Sequence, residues 1–299
     1  MRVGVILAAR APVPYLAEAL ESVLSQDPPP DEVVVVDHAS SPALDGLPGV
    51  PVVRVDDRDG GPAAARAAGF AELATELVAL ADADDVWAPG KLRAQLDALA
   101  RYPEAAVCFG RAVVIDAAGR ATGEKLPELP AGLLPAGALR RKLYERNAVP
   151  AASALIRVDA LAAAGGFIPD TPLPAASDWD LWLRLVAGGH PFVCEPAARI
   201  FYRRHEGSLT ADLSRLARAG LIIHERHASL VDPETATNAR ARDLEALARA
   251  QIRERRYEAA AKSLADAARL GPLAARERLL RLAVTIPGAR ALLGRRSPY

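Results

Sequence analysis

Continuous apolar runs alternate with helically spaced ones along the N-terminal part of the chain. Val3-Gly4-Val5-Ile6-Leu7 and Glu32-Val33-Val34-Val35-Val36-Asp37 show no polar face, as expected of strands buried on both sides. Between them, Tyr15-Leu16-Ala17-Glu18-Ala19-Leu20-Glu21-Ser22-Val23-Leu24 carries its apolar residues at helical spacing. Strands and helices in this alternation predict an α/β fold whose central sheet is mostly parallel and flanked by helices. Ligands of such sheets sit beyond the carboxyl ends of the strands, and Asp37 stands at one of those ends.

A second strand end is richer in chemistry. In Leu80-Ala81-Asp82-Ala83-Asp84-Asp85-Val86-Trp87 three carboxylates stand where an apolar run leaves its strand. Two aspartates separated by one small residue can direct both side chains at one hard cation and leave coordination positions for phosphate oxygens. The same residues before Ala88-Pro89-Gly90 also suit ordinary turn and helix-capping chemistry.

Periodicity weakens from about Ala117 to Ala152, where Pro, Gly and Ala predict loops around a short helix near Leu139 to Arg146. Such an insertion commonly walls a substrate site. The tail is Ala-, Leu- and Arg-rich and predicts helices, with breaks at Pro233, Pro272 and Pro287. The expected organisation is a catalytic domain over 1–211 and a helical extension over 212–299. Within the extension, Arg256-Tyr257-Glu258-Ala259-Ala260 through Leu264, Ala267 and Leu270-Gly271-Pro272 is similar to the second half of a tetratricopeptide repeat. One such unit cannot bury its own face, so it must pack on other helices.

At 299 residues with 51% hydrophobic content the chain can bury a substantial core. A formal net charge of zero gives no global basic field for nucleic acid. The charge is nonetheless divided, +8 from Arg215 onward and −8 before it. The basic tail reads either as a solvated helical face or as a surface for anionic membrane or a lipid-linked acceptor. Cys108 and Cys194 lack metal spacing and are too few for a disulfide framework. With no signal-peptide pattern and no membrane span, the expectation is a cytoplasmic enzyme with peripheral membrane contact at most.

Taken in order, several segments resemble the family 2 glycosyltransferases and their nucleotide-sugar-binding fold, GT-A. They are Tyr15 to Gln26, Val35-Val36-Asp37, Gly60-Gly61-Pro62-Ala63-Ala64-Ala65-Arg66, Asp82-Ala83-Asp84-Asp85, Gly165-Gly166-Phe167, Asp178-Trp179-Asp180-Leu181-Trp182-Leu183-Arg184 and Tyr202-Arg203-Arg204-His205. The resemblance implies an inverting, metal-dependent transfer of a sugar from a nucleotide diphosphate, UDP or dTDP favoured, to a hydroxyl-bearing acceptor in cell-surface glycan or glycoconjugate assembly. It implies that Asp82-Ala83-Asp84 contacts the nucleotide sugar, that Asp37 meets the base and that Arg66 meets the diphosphate. Asp84 and His205 become ligands for Mn²⁺ or Mg²⁺, and Arg203 or Arg204 a further partner of the diphosphate. Asp178 becomes the catalytic base, with an N-cap as its competing role, and Trp179 and Asp180 become sugar or acceptor contacts, Asp180 mostly structural.

The chain departs from the family pattern at His38, where a second aspartate is common, at Ala67, where Asn is common, and at Ser177, where Glu is common. These departures keep open a catalytically degenerate transferase fold serving as a binding or assembly module. The opening strand Val5-Ile6-Leu7-Ala8-Ala9 also looks like that of sugar-phosphate nucleotidyltransferases, but Arg10-Ala11-Pro12-Val13-Pro14 lacks their glycine-rich phosphate loop.

Overall fold

A computed structural model describes the chain except for residues 11–13, 45–46, 48, 57–60, 170–175, 209–210 and 287–299. Gly60 of the glycine-rich segment and the expected break at Pro287 therefore lie outside the described residues. Two compact units divide at Glu206 and Gly207.

The first unit opens with β1 (Val3–Ala9), α1 (Leu16–Leu24), β2 (Glu32–His38), β3 (Val52–Val55), α2 (Gly61–Ala71) and β4 (Leu77–Asp82). It continues with β5 (Val86–Trp87), α3 (Lys91–Arg101), β6 (Val107–Ile115), β7 (Gly132–Leu134), α4 (Ala136–Glu145), β8 (Leu155–Arg157), α5 (Val158–Ala163), α6 (Ser177–Ala187) and β9 (Phe192–Arg203). Among the described residues the strands form one sheet in the order β3-β2-β1-β4-β8-β6-β9-β5, with β7 on β9.

The apolar runs account for the N-terminal half, where β3, β2, β1 and β4 are all parallel. Beyond β4 the sheet is mixed. β8 runs antiparallel to both β4 and β6, while β6 and β9 are parallel to each other. Short β8 is entered through a 3-10 turn at Ala151–Ser153.

Alternation along β1 explains why both faces are covered. Val3, Val5, Leu7 and Ala9 join a core with Leu16, Ala19 and Val23 of α1 and Leu92 and Leu99 of α3. The opposite face meets α2, where a Cβ added at Gly69 would lie 2.7 Å from Ile6 Cγ2 and 2.8 Å from Val36 Cγ2. That glycine lets α2 sit close on the sheet and bring Arg66 inward. At Gly110 the strands themselves approach: a Cβ there would fall 1.3 Å from the Ala198 carbonyl oxygen, beside the register shift between β6 and β9.

The second unit contains α7 (Leu213–Arg226), α8 (Pro233–Arg253), α9 (Tyr257–Leu270) and α10 (Ala275–Thr285), each packed on the next. Asp212 caps α7 and Asp232 caps α8, where Pro233 occupies the first turn. Pro272 falls between α9 and α10, as expected. Ala248, Ala260, Leu264 and Val284 form the core, so neighbouring helices cover the repeat-like segment. No described helix is long and apolar enough to cross a membrane.

Candidate active site

Strand register gathers the acidic residues. Asp37 pairs across from Ala9 and Asp82 from Ala8, so both emerge at the carboxyl edge on either side of β1. Asp82 Oδ1 accepts from Arg66 Nη2 at 3.0 Å, and the guanidinium is almost entirely buried. The next residues turn back toward β5, with Asp85 N–H donating to the Asp82 carbonyl at 3.2 Å. Ala83 packs against the core at this bend.

Asp84 and His205 meet across 121 positions of sequence, Oδ2 to Nε2 at 3.1 Å. The His205 ring also lies 5.3 Å from that of Tyr15. Burial and then the Asp82 charge push Asp84 above the usual carboxylate range, opposed by His205. Asp85 is pushed well up by burial and by both neighbouring carboxylates, and one of its oxygens has no partner.

Arg203 is not available to a diphosphate. Its side chain is buried and donates to Glu18 Oε2 at 2.7 Å, to the Asp84 carbonyl at 2.9 Å and to the Asp116 and Ala117 carbonyls at 3.4 Å. Its guanidinium lies 4.3 Å over the Tyr15 ring, and its backbone N–H donates to Asp85 Oδ1 at 2.9 Å. Arg203 therefore latches the acidic turn in place. Arg204 is exposed and paired with Glu124 at 2.7 Å.

Asp37 also differs from the simple expectation of a base contact. Oδ1 accepts from Ser40 N–H at 3.0 Å, and Oδ2 from Leu44 N–H at 3.1 Å and Arg54 Nη1 at 3.0 Å. Burial alone would raise this carboxyl, but these hydrogen bonds and the Arg54 charge outweigh it and hold the group below its usual range. The side chain thus shapes the segment after β2 instead of presenting a free oxygen.

Asp178 stands in the first turn of α6, whose N-cap is Ala176 without a side-chain bond, so neither Asp178 nor Asp180 has the capping role. Asn147 Nδ2 donates to Asp178 Oδ2 at 2.8 Å. Part of Asp178 remains open, yet surrounding protein mass raises its carboxyl above the usual range, against the Arg66 charge and the Asn147 bond. Arg66 and Asp82 both act on its charge, so the base candidate and the strand-end ion pair share one neighbourhood.

The remaining side chains of α6 divide between opening and support. Trp179 is half-buried and its indole N–H donates to the Leu143 carbonyl of α4. Asp180 is buried and accepts from Arg184 Nε at 2.8 Å. Arg184 in turn binds the carbonyls of Ala164 and Gly166, next to glycines with φ of +85° and +71°. Asp180 is therefore a support for the Gly165-Gly166 turn and not an open acceptor contact. Trp182 is buried.

The strand-end Asp-x-Asp and the inward arginine of this arrangement lie within a sequence match. Residues 5–162 match the family model described as glycosyl transferase family 2.

The chain belongs to glycosyl transferase family 2.

Curated relatives of this family-2 chain include an uncharacterized glycosyltransferase, alr2836, of Nostoc sp., 35% identical over 105 residues, 31% of each chain. Another is the uncharacterized glycosyltransferase YwdF of Bacillus subtilis, 29% identical over 96 residues, 31% of this chain and 36% of that one. The chain thus matches about a third of the length of these relatives. Among solved structures, S. aureus TarS 1-349 in complex with UDP-GlcNAc aligns with a TM-score of 0.66 at 16% identity, over 97% of this chain and 88% of that one. The mannosyltransferase PcManGT from Pyrobaculum calidifontis, in complex with GDP-Man and Mn²⁺, aligns with a TM-score of 0.57 at 20% identity, over 98% and 86%. These likenesses establish the GT-A fold expected from the sequence.

Among the described residues no three His, Cys, Asp or Glu side chains are gathered as a metal cluster. What this family-2 chain offers is a carboxylate–imidazole pair, Asp84 and His205, with Asp82 two residues away. Oxygen and imidazole donors suit Mn²⁺ or Mg²⁺, and the crowding that raises Asp84 is of the kind a cation relieves. Sequence reasoning missed Asn147, which has no local periodicity or motif to mark it. Only the approach of the segment after α4 to α6 reveals it.

Proposed function

We propose that this protein is an inverting glycosyltransferase that moves a sugar from a nucleotide diphosphate to a hydroxyl-bearing acceptor. The observation carrying the reading is the shared neighbourhood of Asp178, Arg66 and Asp82 at the carboxyl edge of the sheet. A general base must reach the acceptor's proton where the donor is bound, and these residues supply both functions.

Asp178 takes the proton of the acceptor hydroxyl as its oxygen attacks the anomeric carbon. The bond to the nucleotide diphosphate breaks on the opposite face, so the product carries inverted configuration. Arg66 offers planar paired donors to the diphosphate oxygens, giving up Asp82 to do so. Asp84 and His205, with Asp82, are the residues that would hold a divalent ion, which would offset negative charge on the leaving diphosphate. Asp37 acts through the segment it orders, and half-buried Trp179 offers a ring face to the sugar or acceptor.

UDP- or dTDP-sugars are the favoured donors; the UDP-GlcNAc and GDP-Man held by the structural neighbours support the broader class of nucleotide sugars. The setting proposed is assembly of a cell-surface glycan or glycoconjugate. A donor screen by thermal shift with Mn²⁺ present identifies the nucleotide, because a ligand of the folded state raises apparent stability. NMR of the product then reads the anomeric centre. Retained configuration overturns the mechanism, and neither transfer nor hydrolysis of any bound donor favours the degenerate binding module.

A further inference from the structure

The last described helix has two apolar faces, and among the described residues only one is packed. On its inner side α10 buries Val284 and packs Leu280 against the core of the second unit. Glu277, also inward, is 5% exposed and accepts from Arg249 at 2.7 Å. On the outer side Leu279 is 68% exposed, Leu282 60% and Ile286, just past the helix end, 54%. Their spacing of i, i+3 and i+7 places them on one stripe. An outward-facing helix surface is ordinarily polar, and here that face is hydrophobic.

The charge around the stripe selects what covers it. Arg276, Arg278 and Arg281 are exposed on the same helix, and helical geometry sets Arg276 and Arg278 on either side of the leucines. From Arg278 to the end the sequence holds five arginines and no Asp, Glu or Lys. Two copies joined across this face would oppose arginine to arginine. A bilayer with anionic headgroups instead accepts the apolar stripe at the headgroup–acyl boundary and pairs with the flanking guanidinium groups.

We infer that the outer face of α10 is a docking surface for an anionic lipid bilayer, with Leu279, Leu282 and Ile286 entering the interface and Arg276 and Arg278 meeting the headgroups. The inference stands independently of the catalytic reading, because it rests on the second unit alone. It gives the charge division between the two parts of the chain a physical use.

Co-sedimentation of the full chain with vesicles tests it. The chain is expected to pellet with phosphatidylcholine–phosphatidylglycerol vesicles at low salt, to release as salt screens the attraction, and to ignore vesicles of phosphatidylcholine alone. Leu279→Gln with Leu282→Gln is expected to weaken binding by about tenfold or more, since two apolar side chains lose their burial, and Arg276→Glu with Arg278→Glu to weaken it further. All four positions are exposed, so circular dichroism and nucleotide binding serve as controls that the variants fold. No pelleting of the wild type at low salt overturns the inference, as does undiminished pelleting of the leucine variant. A fall in molecular mass of the leucine variant by sedimentation velocity also overturns it, assigning the face to a second copy of the chain.

Discussion

Asn147 donates its side-chain amide to Asp178 Oδ2 at 2.8 Å, and this contact sets the readiness of the proposed base. Asp178 must be ionised to accept a proton, so kcat/KM falls as pH drops through its pKa. Burial already lifts that pKa above the ordinary value, and the Asn147 bond acts downward against it. Asn147→Ala is therefore expected to move the acid limb of the kcat/KM profile to higher pH, a shift that a merely structural loss would not produce. Asp178→Asn is expected to lower turnover by about 10²–10⁴-fold while the nucleotide Kd stays near the wild-type value. Wild-type turnover in that variant would remove Asp178 from the mechanism.

The acidic turn yields a prediction about metal dependence. UDP or dTDP is expected to bind more tightly with Mn²⁺ or Mg²⁺ than with EDTA, and Asp84→Ala is expected to abolish that difference. The Asp84 carboxylate is in contact with His205 at 3.1 Å, so His205→Ala is expected to narrow the difference as well. Titration calorimetry with equal affinity in all conditions would refute the ligand assignment.

Lys91 predicts an unusual dependence of stability on pH. Its ammonium is wholly buried 3.6 Å from the Trp87 ring centroid and donates to Gln95 Oε1 at 2.8 Å. Burial lowers its pKa to about 7, against an unfolded value of 10.5. Between those values the unfolded chain binds more protons, so stability rises with pH across the window, by up to about 1.4 kcal/mol per unit. Chemical denaturation at a series of pH values is expected to show this rise in the wild type and to show it missing in Lys91→Met. Parallel profiles for the two proteins would contradict the burial-induced shift.

Gly110 makes a purely steric case. Its missing side chain leaves room for the Ala198 carbonyl, which an added Cβ would meet at 1.3 Å. Relief requires backbone movement in β6 or β9, so Gly110→Ala is expected to cost more than about 3 kcal/mol. A denaturant midpoint equal to that of the wild type would show that the strands separate easily.

Much of this molecule is written locally in its sequence. The runs Val3 to Ala9, Glu32 to Asp37 and Leu77 to Asp82 announce buried parallel strands because they have no polar face, and their ends locate the acidic residues. The short helix expected at 139–146 occurs at Ala136–Glu145. Strand reversal at β8 is not legible, because three residues carry no signal of direction. Nor are the partners of polar side chains. Asp37 looks like a free strand-end carboxylate until Arg54 and the Ser40 and Leu44 amides converge on it. Arg203 looks like a phosphate ligand until its donors are seen to be taken. Composition tells which groups are polar, but only tertiary contact tells which are already satisfied.

The Arg203 latch bears on when this protein becomes able to bind anything. Its hydrogen bonds reach Glu18, 185 positions earlier, the Asp84 carbonyl, 119 earlier, and the Asp116 carbonyl, 87 earlier. Contacts of such separation form only after long loops close, and they are slow beside local ones. On a translating ribosome the early strands can pair while the acidic turn still lacks its fastener. The turn is thus finished by nearly the last residue of its own unit, and a nascent chain halted before β9 would hold most of a sheet but no completed site.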